Sequence, residues 1–464
     1  MARDKTINMT EGPISKLMIR FALPVFFMSL FNQLYLITDS LIIATFTGDL
    51  GLGAVTNCEN IYWFVTSFFF GCSMGLTVII SQQFGAGHHD MMKKAAATGL
   101  VAAFVMAILL IPVGLFLSAP ILHIVQTPAD VFGMSQGYLT IVLCGSGGLF
   151  LLNVAAGIFS GLGDSKTPLI FQTASCLANA SMDVIFVALF HLGTSGAALA
   201  TVLAQIGTGI AILFYLRSSR SPLPLPFHEI RLDRACFKEL MRLGIPGGIE
   251  NSAVSLANTM VQAFVNGFGT SAMAACGALA TIDGFAFLPI NAFCSALATF
   301  TGQNVGAAKK ERTKKGVRVG LMWCTILSAV ISILLLCVVR WALGFFLSSE
   351  ESMALAIERA WITWPFYFIC GLTHCLASVF RGAGKPMISM SAYLGFWGVL
   401  RVGLLMAVLP FIHSYAFLCW VYPITWSGST IFLVLMERFY PWFPDSKKAL
   451  EQLDLEKNGD VTVQ

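Results

Sequence analysis

In this chain of 464 residues, 56% are hydrophobic and only 11% are charged, against roughly a quarter in ordinary soluble domains. That excludes a soluble enzyme. The net charge of +4 is confined to short basic clusters between apolar runs, which argues against a nucleic-acid partner and for anionic lipid headgroups.

Met1 to Lys16 is polar, and no small-residue cleavage site precedes the first apolar run, so that run is expected to be retained. A helix rises about 1.5 Å per residue and hydrocarbon is about 30 Å thick. On that measure spans are predicted at 15–46, 53–83, 94–118, 129–161, 167–191, 194–218, 236–268, 272–304, 316–346, 353–381, 387–412 and 415–441. The expected fold is an all-α polytopic membrane protein of twelve helices. Its parts are an N-terminal tail at 1–14, an N-lobe at 15–218, a linker at 219–235, a C-lobe at 236–441 and a C-terminal tail at 442–464.

The chain repeats itself. Ser81-Gln82-Gln83-Phe84-Gly85-Ala86-Gly87 returns as Gly302-Gln303-Asn304-Val305-Gly306-Ala307-Ala308, with 302 − 81 = 221. Gly161-Leu162-Gly163 returns as Gly382-Ala383-Gly384 with 382 − 161 = 221, and Leu23-Pro24 as Ile245-Pro246 with 246 − 24 = 222. Two homologous six-helix halves are a plan by which transporters are built.

Lys93, Lys94, Lys166, the Arg217 to Arg242 group, the Lys309 to Arg318 cluster, Arg381 and Lys385 fall in alternate loops, which places those loops and both termini in the cytoplasm. Only Arg340 and Arg359, flanking the ninth connection, depart from this. The protein is thus expected in the cell membrane, multi-pass. The Lys309-Lys310-Glu311-Arg312-Thr313-Lys314-Lys315 run is read as a headgroup anchor, and Ser221-Pro222-Leu223-Pro224-Leu225-Pro226 as the linker between halves. Of 12 cysteines, all but Cys236 lie within predicted spans, so no structural disulfide is expected.

Charges inside hydrocarbon cost about 3 kcal/mol each on insertion scales, so the few present carry functional information. In the N-terminal half they are acids: Asp39, Glu59 and Asp183. Counting at about 1.5 Å per residue puts each about 9 to 12 Å below the outer surface. Asn179 stacks one turn before Asp183, while Asn32, Tyr35 and Asp39 share a stripe on the first helix, and Thr201, with Gln205 one turn deeper, reaches the same depth. With no Lys or Arg in these spans beyond Arg20, the carboxyls must be protonated or bind a cation. Oxygen ligands suit Na⁺ and a desolvated Asp suits H⁺, and the residues leave both open. In the C-terminal half Glu250, Asp283 and Arg401 come out near mid-membrane. Arg401 is expected to pair with one acid, leaving the other for a cationic substrate. His374 is read as a packed polar residue. Asn32, Tyr35, Glu250, Asp283 and Arg401 are the substrate-cleft candidates.

Met9-Thr10-Glu11-Gly12-Pro13-Ile14, Ala22-Leu23-Pro24, Thr38-Asp39-Ser40, Ser81-Gln82-Gln83-Phe84-Gly85-Ala86, Gly161-Leu162-Gly163-Asp164, Gly302-Gln303-Asn304-Val305-Gly306-Ala307 and Arg381-Gly382-Ala383-Gly384 together resemble the multidrug and toxic-compound extrusion (MATE) family along essentially the whole chain. The resemblance implies two six-helix lobes around a central cleft and efflux of cationic or amphiphilic compounds driven by Na⁺ or H⁺. In the branch with an N-lobe acidic site, it implies that Asp39, Asn179, Asp183 and Thr201 bind the coupling ion. Where other members carry an acid on the tenth helix, this chain has Cys370, which argues against a C-lobe cation site of that kind.

The expected activity is a secondary antiporter acting as a monomer, with lipophilic or cationic small molecules as substrates, no cofactor beyond the coupling ion, and no catalytic residues. Pro24 removes a backbone hydrogen bond and lets the first helix bend. A flippase for a lipid-linked precursor is the alternative, but it wants a cleft rich in Arg and Lys, where Arg401 stands nearly alone. An enzyme or channel lacks any Cys and His cluster with metal spacing, phosphate loop or filter.

Overall fold

The computed structural model describes residues 6–443, so the tail beyond Phe443 lies outside the described residues. The N-terminal half comprises α1 (Ile14–Gly48), α2 (Leu50–Ser67 with Phe69–Ala86), α3 (His89–Ile124), α4 (Ala129–Cys144 with Gly147–Gly161), α5 (Lys166–Leu189) and α6 (Gly193–Arg217). The C-terminal half comprises α7 (Arg234–Asn266), α8 (Thr270–Ala286 with Leu288–Gly306), α9 (Lys310–Leu343), α10 (Glu350–Gly382), α11 (Pro386–Ile412) and α12 (Tyr415–Phe439). Eight of these are long and apolar enough to cross a membrane, or eleven when each bent pair counts once. The remaining one, α7, is long enough at 33 residues but carries Glu250, Asn251, Ser252, Asn258 and Gln262 along its length. Its polar residues mark an element that faces protein and cleft rather than lipid. The break between α1 and α2 falls at Gly48, whose φ of 69° favours glycine.

Helices α1–α6 and α7–α12 form two lobes, and the repeat explains how they meet. Gly85 lies against the Gln303 carbonyl and Gly306 against the Gln82 carbonyl, while Gly302 lies on Ser81, so the duplicated motif packs on its own copy. Their side chains reciprocate. Gln82 donates to the Gly382 carbonyl (2.9 Å) and Gln303 to the Gly161 carbonyl (3.2 Å), each bond running from one lobe to the other. One turn-pair farther along, Gly71 and Gly75 of α2 meet Gly244 and Gly248 of α7 backbone to backbone, an approach that a side chain would prevent.

These contacts lie at the end of the bundle that carries the basic loops. There the cores cross between lobes: Met18, Phe21, Ala22 and Val25 of α1 are buried with Phe293, Leu297 and Phe300 of α8, and Leu240 and Leu243 of α7 with Leu76, Ile80 and Phe159. At the opposite end each lobe has a core of its own, Ile43, Val55, Tyr138 and Val187 in one and Val261, Leu405, Tyr415 and Leu418 in the other.

One expectation is qualified here. Lys309 and Arg312 do not simply reach for headgroups: Lys309 Nζ donates to the Thr10 carbonyl (3.0 Å) and Arg312 Nε to the Met9 carbonyl (3.1 Å). With Met9 N–H on Gln303 Oε1 (2.8 Å) and Ile7 N–H on the Gly163 carbonyl (3.1 Å), the segment before α1 straps both lobes. The proline-rich linker packs on the N-lobe: Leu223 and Leu225 are buried in its core and Lys93 pairs with Glu229 at 3.3 Å.

Candidate functional site

Helix α5 sets up the N-lobe site. Asn179 and Asp183 lie one turn apart on its buried face, and directly after Asp183 the helix widens into π-type turns over Val184–Leu189, a local irregularity that recurs at functional sites. Asp39 of α1 faces Asp183 with the two carboxyls in hydrogen-bond reach, and both are buried, at 4% and 0% exposure. Asn179 Nδ2 donates to Thr201 Oγ1 of α6 at 3.0 Å, and the half-buried Tyr35 reaches the same hydroxyl.

The donors stop there. Among the described residues nothing donates to Asp39 Oδ1, Asn179 Oδ1 or either Asp183 oxygen, and no Lys, Arg or His nitrogen lies within 4.0 Å of either carboxyl. Two buried carboxyls in contact cannot both stay ionised without a positive charge between or beside them. The arrangement therefore suits a shared proton or a hard monovalent cation held by carboxyl, amide and hydroxyl oxygens. Glu59 is half-buried on α2 near Asp39. Asn32, by contrast, is exposed, while Tyr35 and Asp39 of the same α1 stripe are half-buried and buried.

The C-lobe residues are arranged otherwise than expected. Glu250 pairs with Arg381 (2.5 Å) and accepts a bond from Ser389 (2.8 Å), while Arg381 also donates to Ser378 (2.7 Å). Arg381 is thus no loop residue: it lies in the last turn of α10 and is buried, its long side chain reaching inward to α7. That occupies Glu250 with a charge partner instead of leaving it open to a cationic substrate. Arg401 pairs with neither acid. It donates to Thr425 Oγ1 (3.0 and 3.3 Å) and stacks on Trp397 and Tyr422, 4.7 and 4.5 Å from their ring centres. Asp283 instead accepts the Trp364 indole N–H at 2.8 Å and lies against Tyr367. Asp283, Arg359 and Arg401 line one cavity of about 270 Å³ with Tyr367, Trp397, Tyr422 and Trp426. Sequence position had put Arg359 beside a loop; it lies in α10 with its guanidinium over Tyr422. His374 is packed, its Nδ1 bonded to the Tyr393 hydroxyl (2.7 Å) between Phe287 and Trp397.

The signal for Arg381 was present in Ser378, one helical turn before it on the same face, but nothing in sequence ties that face to Glu250, 131 residues away. Stacking of Arg401 had no sequence signal beyond the Trp and Tyr content of α11 and α12.

Residues 24–185 and 246–407 each match the MatE family, two copies displaced by 246 − 24 = 222. Two Bacillus subtilis proteins described as probable multidrug resistance proteins, YoeA and YpnP, are 26% and 28% identical over 402 and 407 residues. Those alignments cover 85% and 86% of this chain and 87% and 89% of the relatives. A solved structure described as the outward-facing conformation of a multidrug resistance MATE family transporter superposes with a TM-score of 0.87 at 17% identity, covering 97% of this chain and 99% of that one.

Proposed function

The chain belongs to the MATE family of multidrug efflux transporters, and we propose that it is an antiporter exporting cationic or amphiphilic compounds in exchange for Na⁺ or H⁺ taken up at Asp39, Asn179, Asp183 and Thr201. The observation that carries the reading is the facing pair of buried carboxyls, of which Asp39 Oδ1 and both Asp183 oxygens, like Asn179 Oδ1, have no donor among the described residues. Such a pair is stable only with positive charge supplied from outside, which is what a coupling ion is.

The basic end is cytoplasmic by the distribution of Lys and Arg, and the cores that cross between lobes at that end match a transporter open outward. Filling the acid pair from outside removes its repulsion and lets α1 bend at Pro24, so ion and substrate favour different states, and the difference in their affinities supplies the coupling.

The test is efflux of ethidium from drug-sensitive cells expressing the chain, with a Na⁺ gradient and a pH gradient imposed separately. Efflux that follows one gradient identifies the ion. Efflux indifferent to both, from a protein present in the membrane, would refute antiport through this site.

A further inference from the structure

The C-lobe cavity holds two guanidinium groups and one carboxylate, and that carboxylate is already engaged. Asp283 accepts the Trp364 indole N–H and lies against Tyr367, and neither arginine nitrogen comes within 4.0 Å of it. Arg401 is buried to 1% exposure, and among the described residues its guanidinium hydrogen-bonds only to one threonine hydroxyl. The Arg359 guanidinium makes no hydrogen bond to any described residue and lies 5.4 Å from the centre of the ring that Arg401 also contacts, Tyr422. An arginine keeps its charge in any protein setting, so the cavity carries one positive charge that no side chain balances. Aromatic faces offset part of the cost of burying such a charge, and an anion offsets the rest.

We propose that this cavity receives the carboxylate of a small planar aromatic compound, its charge between Arg359 and Arg401 and its ring against Trp397, Tyr422 or Trp426. Guanidinium groups match a carboxylate with paired N–H donors. The cavity, about 270 Å³, falls just below the range of drug-sized pockets and suits one or two fused rings rather than a large amphiphile. The inference rests on the transporter reading and adds to it a substrate class, aromatic organic acids, that the N-lobe acid layer would repel. Polarity therefore divides the two lobes into a cation side and an anion side.

The test is isothermal titration of the purified full chain in nanodiscs with three probes: 2-naphthoate, its neutral isostere 2-naphthamide, and octanoate, which has the charge without the ring. The expected result is naphthoate binding about tenfold or more tighter than either control, with Arg401→Gln and Arg359→Gln each removing about that advantage and leaving naphthamide unchanged. Equal binding of naphthoate and naphthamide, or unchanged naphthoate affinity in Arg359→Gln, overturns the proposal; octanoate binding as tightly as naphthoate overturns its aromatic part. Arg359 is half-buried and its guanidinium has no hydrogen bond to any described residue, so its variant decides the matter even where Arg401→Gln does not fold. Because binding is measured without a gradient, an absent naphthoate site and a failure of ion coupling at Asp39 are separately visible.

Discussion

The two lobes share one scaffold and carry different polar groups at related places in it. Arg401 stands at the repeat position of Asn179, 401 − 179 = 222, and Tyr422 at that of Thr201, 422 − 201 = 221. In the N-lobe the contact between these two helices is an amide on a hydroxyl beside a carboxyl pair; in the C-lobe it is a guanidinium on an aromatic ring and on the Thr425 hydroxyl. Both fifth-type helices contain a stretch of π turns next to the functional position, Val184–Leu189 after Asp183 and Tyr393–Leu400 before Arg401. Duplication thus fixed the frame, and the residues at the contact were free to diverge in chemistry. Motifs that returned unchanged serve the join between lobes, where two-fold symmetry needs the same chemistry from each side, as Gln82 and Gln303 show.

The sharpest way to break the comparison is at the acids. Asp183→Asn is expected to abolish gradient-driven ethidium efflux, by about 100-fold or more, with normal insertion, because the facing pair loses the charge that draws the ion. Asp39→Asn should do the same. Full activity in either, measured beside an immunoblot of the membrane fraction, would remove the N-lobe from the mechanism.

Next in size is Glu250→Gln. It leaves Arg381 buried without its partner, which costs about 3–5 kcal/mol. A large fall in the melting temperature of solubilised protein is expected, with the ethidium KM of whatever protein survives little altered, since Glu250 is engaged in holding α7 to α10. A raised KM with unchanged melting would return Glu250 to the list of substrate contacts.

A smaller effect tests the symmetry itself. Gly85→Val and Gly306→Val each push a side chain onto the partner lobe's glutamine carbonyl, an overpacking worth about 1–3 kcal/mol. The two variants should lower the melting temperature alike; a tenfold disparity in residual efflux would mean that one lobe dominates the seal. Smallest is Thr201→Val, which removes the acceptor for Asn179 at about 1 kcal/mol and is expected to weaken ion affinity by about tenfold or less in the concentration dependence of efflux.

The helices and the lobe division were legible because hydrocarbon imposes length and apolarity on every span, and the repeat could be read by subtraction. Depth counting brought Asp39, Asn179, Asp183 and Thr201 to one layer, and the structure does bring these four together, because each is a short side chain whose position follows its backbone. The same counting failed for arginines. Arg381 belongs by number to a helix end but by contact to the middle of α7, and Arg359 belongs by number to the start of a span beside a connection but by contact to a cavity. A side chain with four rotatable bonds moves its charge by more than a helical turn, so axial position in sequence does not locate it. Asn32 shows the converse limit: sharing a helical stripe with Asp39 did not decide which part of the stripe the neighbouring helices cover.

The crossing of apolar cores at the basic end has a thermal consequence. If alternating access parts the lobes there, Met18, Phe21 and Val25 or their partners on α8 meet water once in every cycle. Exposing apolar surface raises heat capacity, so the enthalpy of that step changes with temperature. Transport limited by it would show a curved Arrhenius plot, its apparent activation enthalpy drifting across the working range, whereas a cycle limited by ion release at the acid pair would give a straight one.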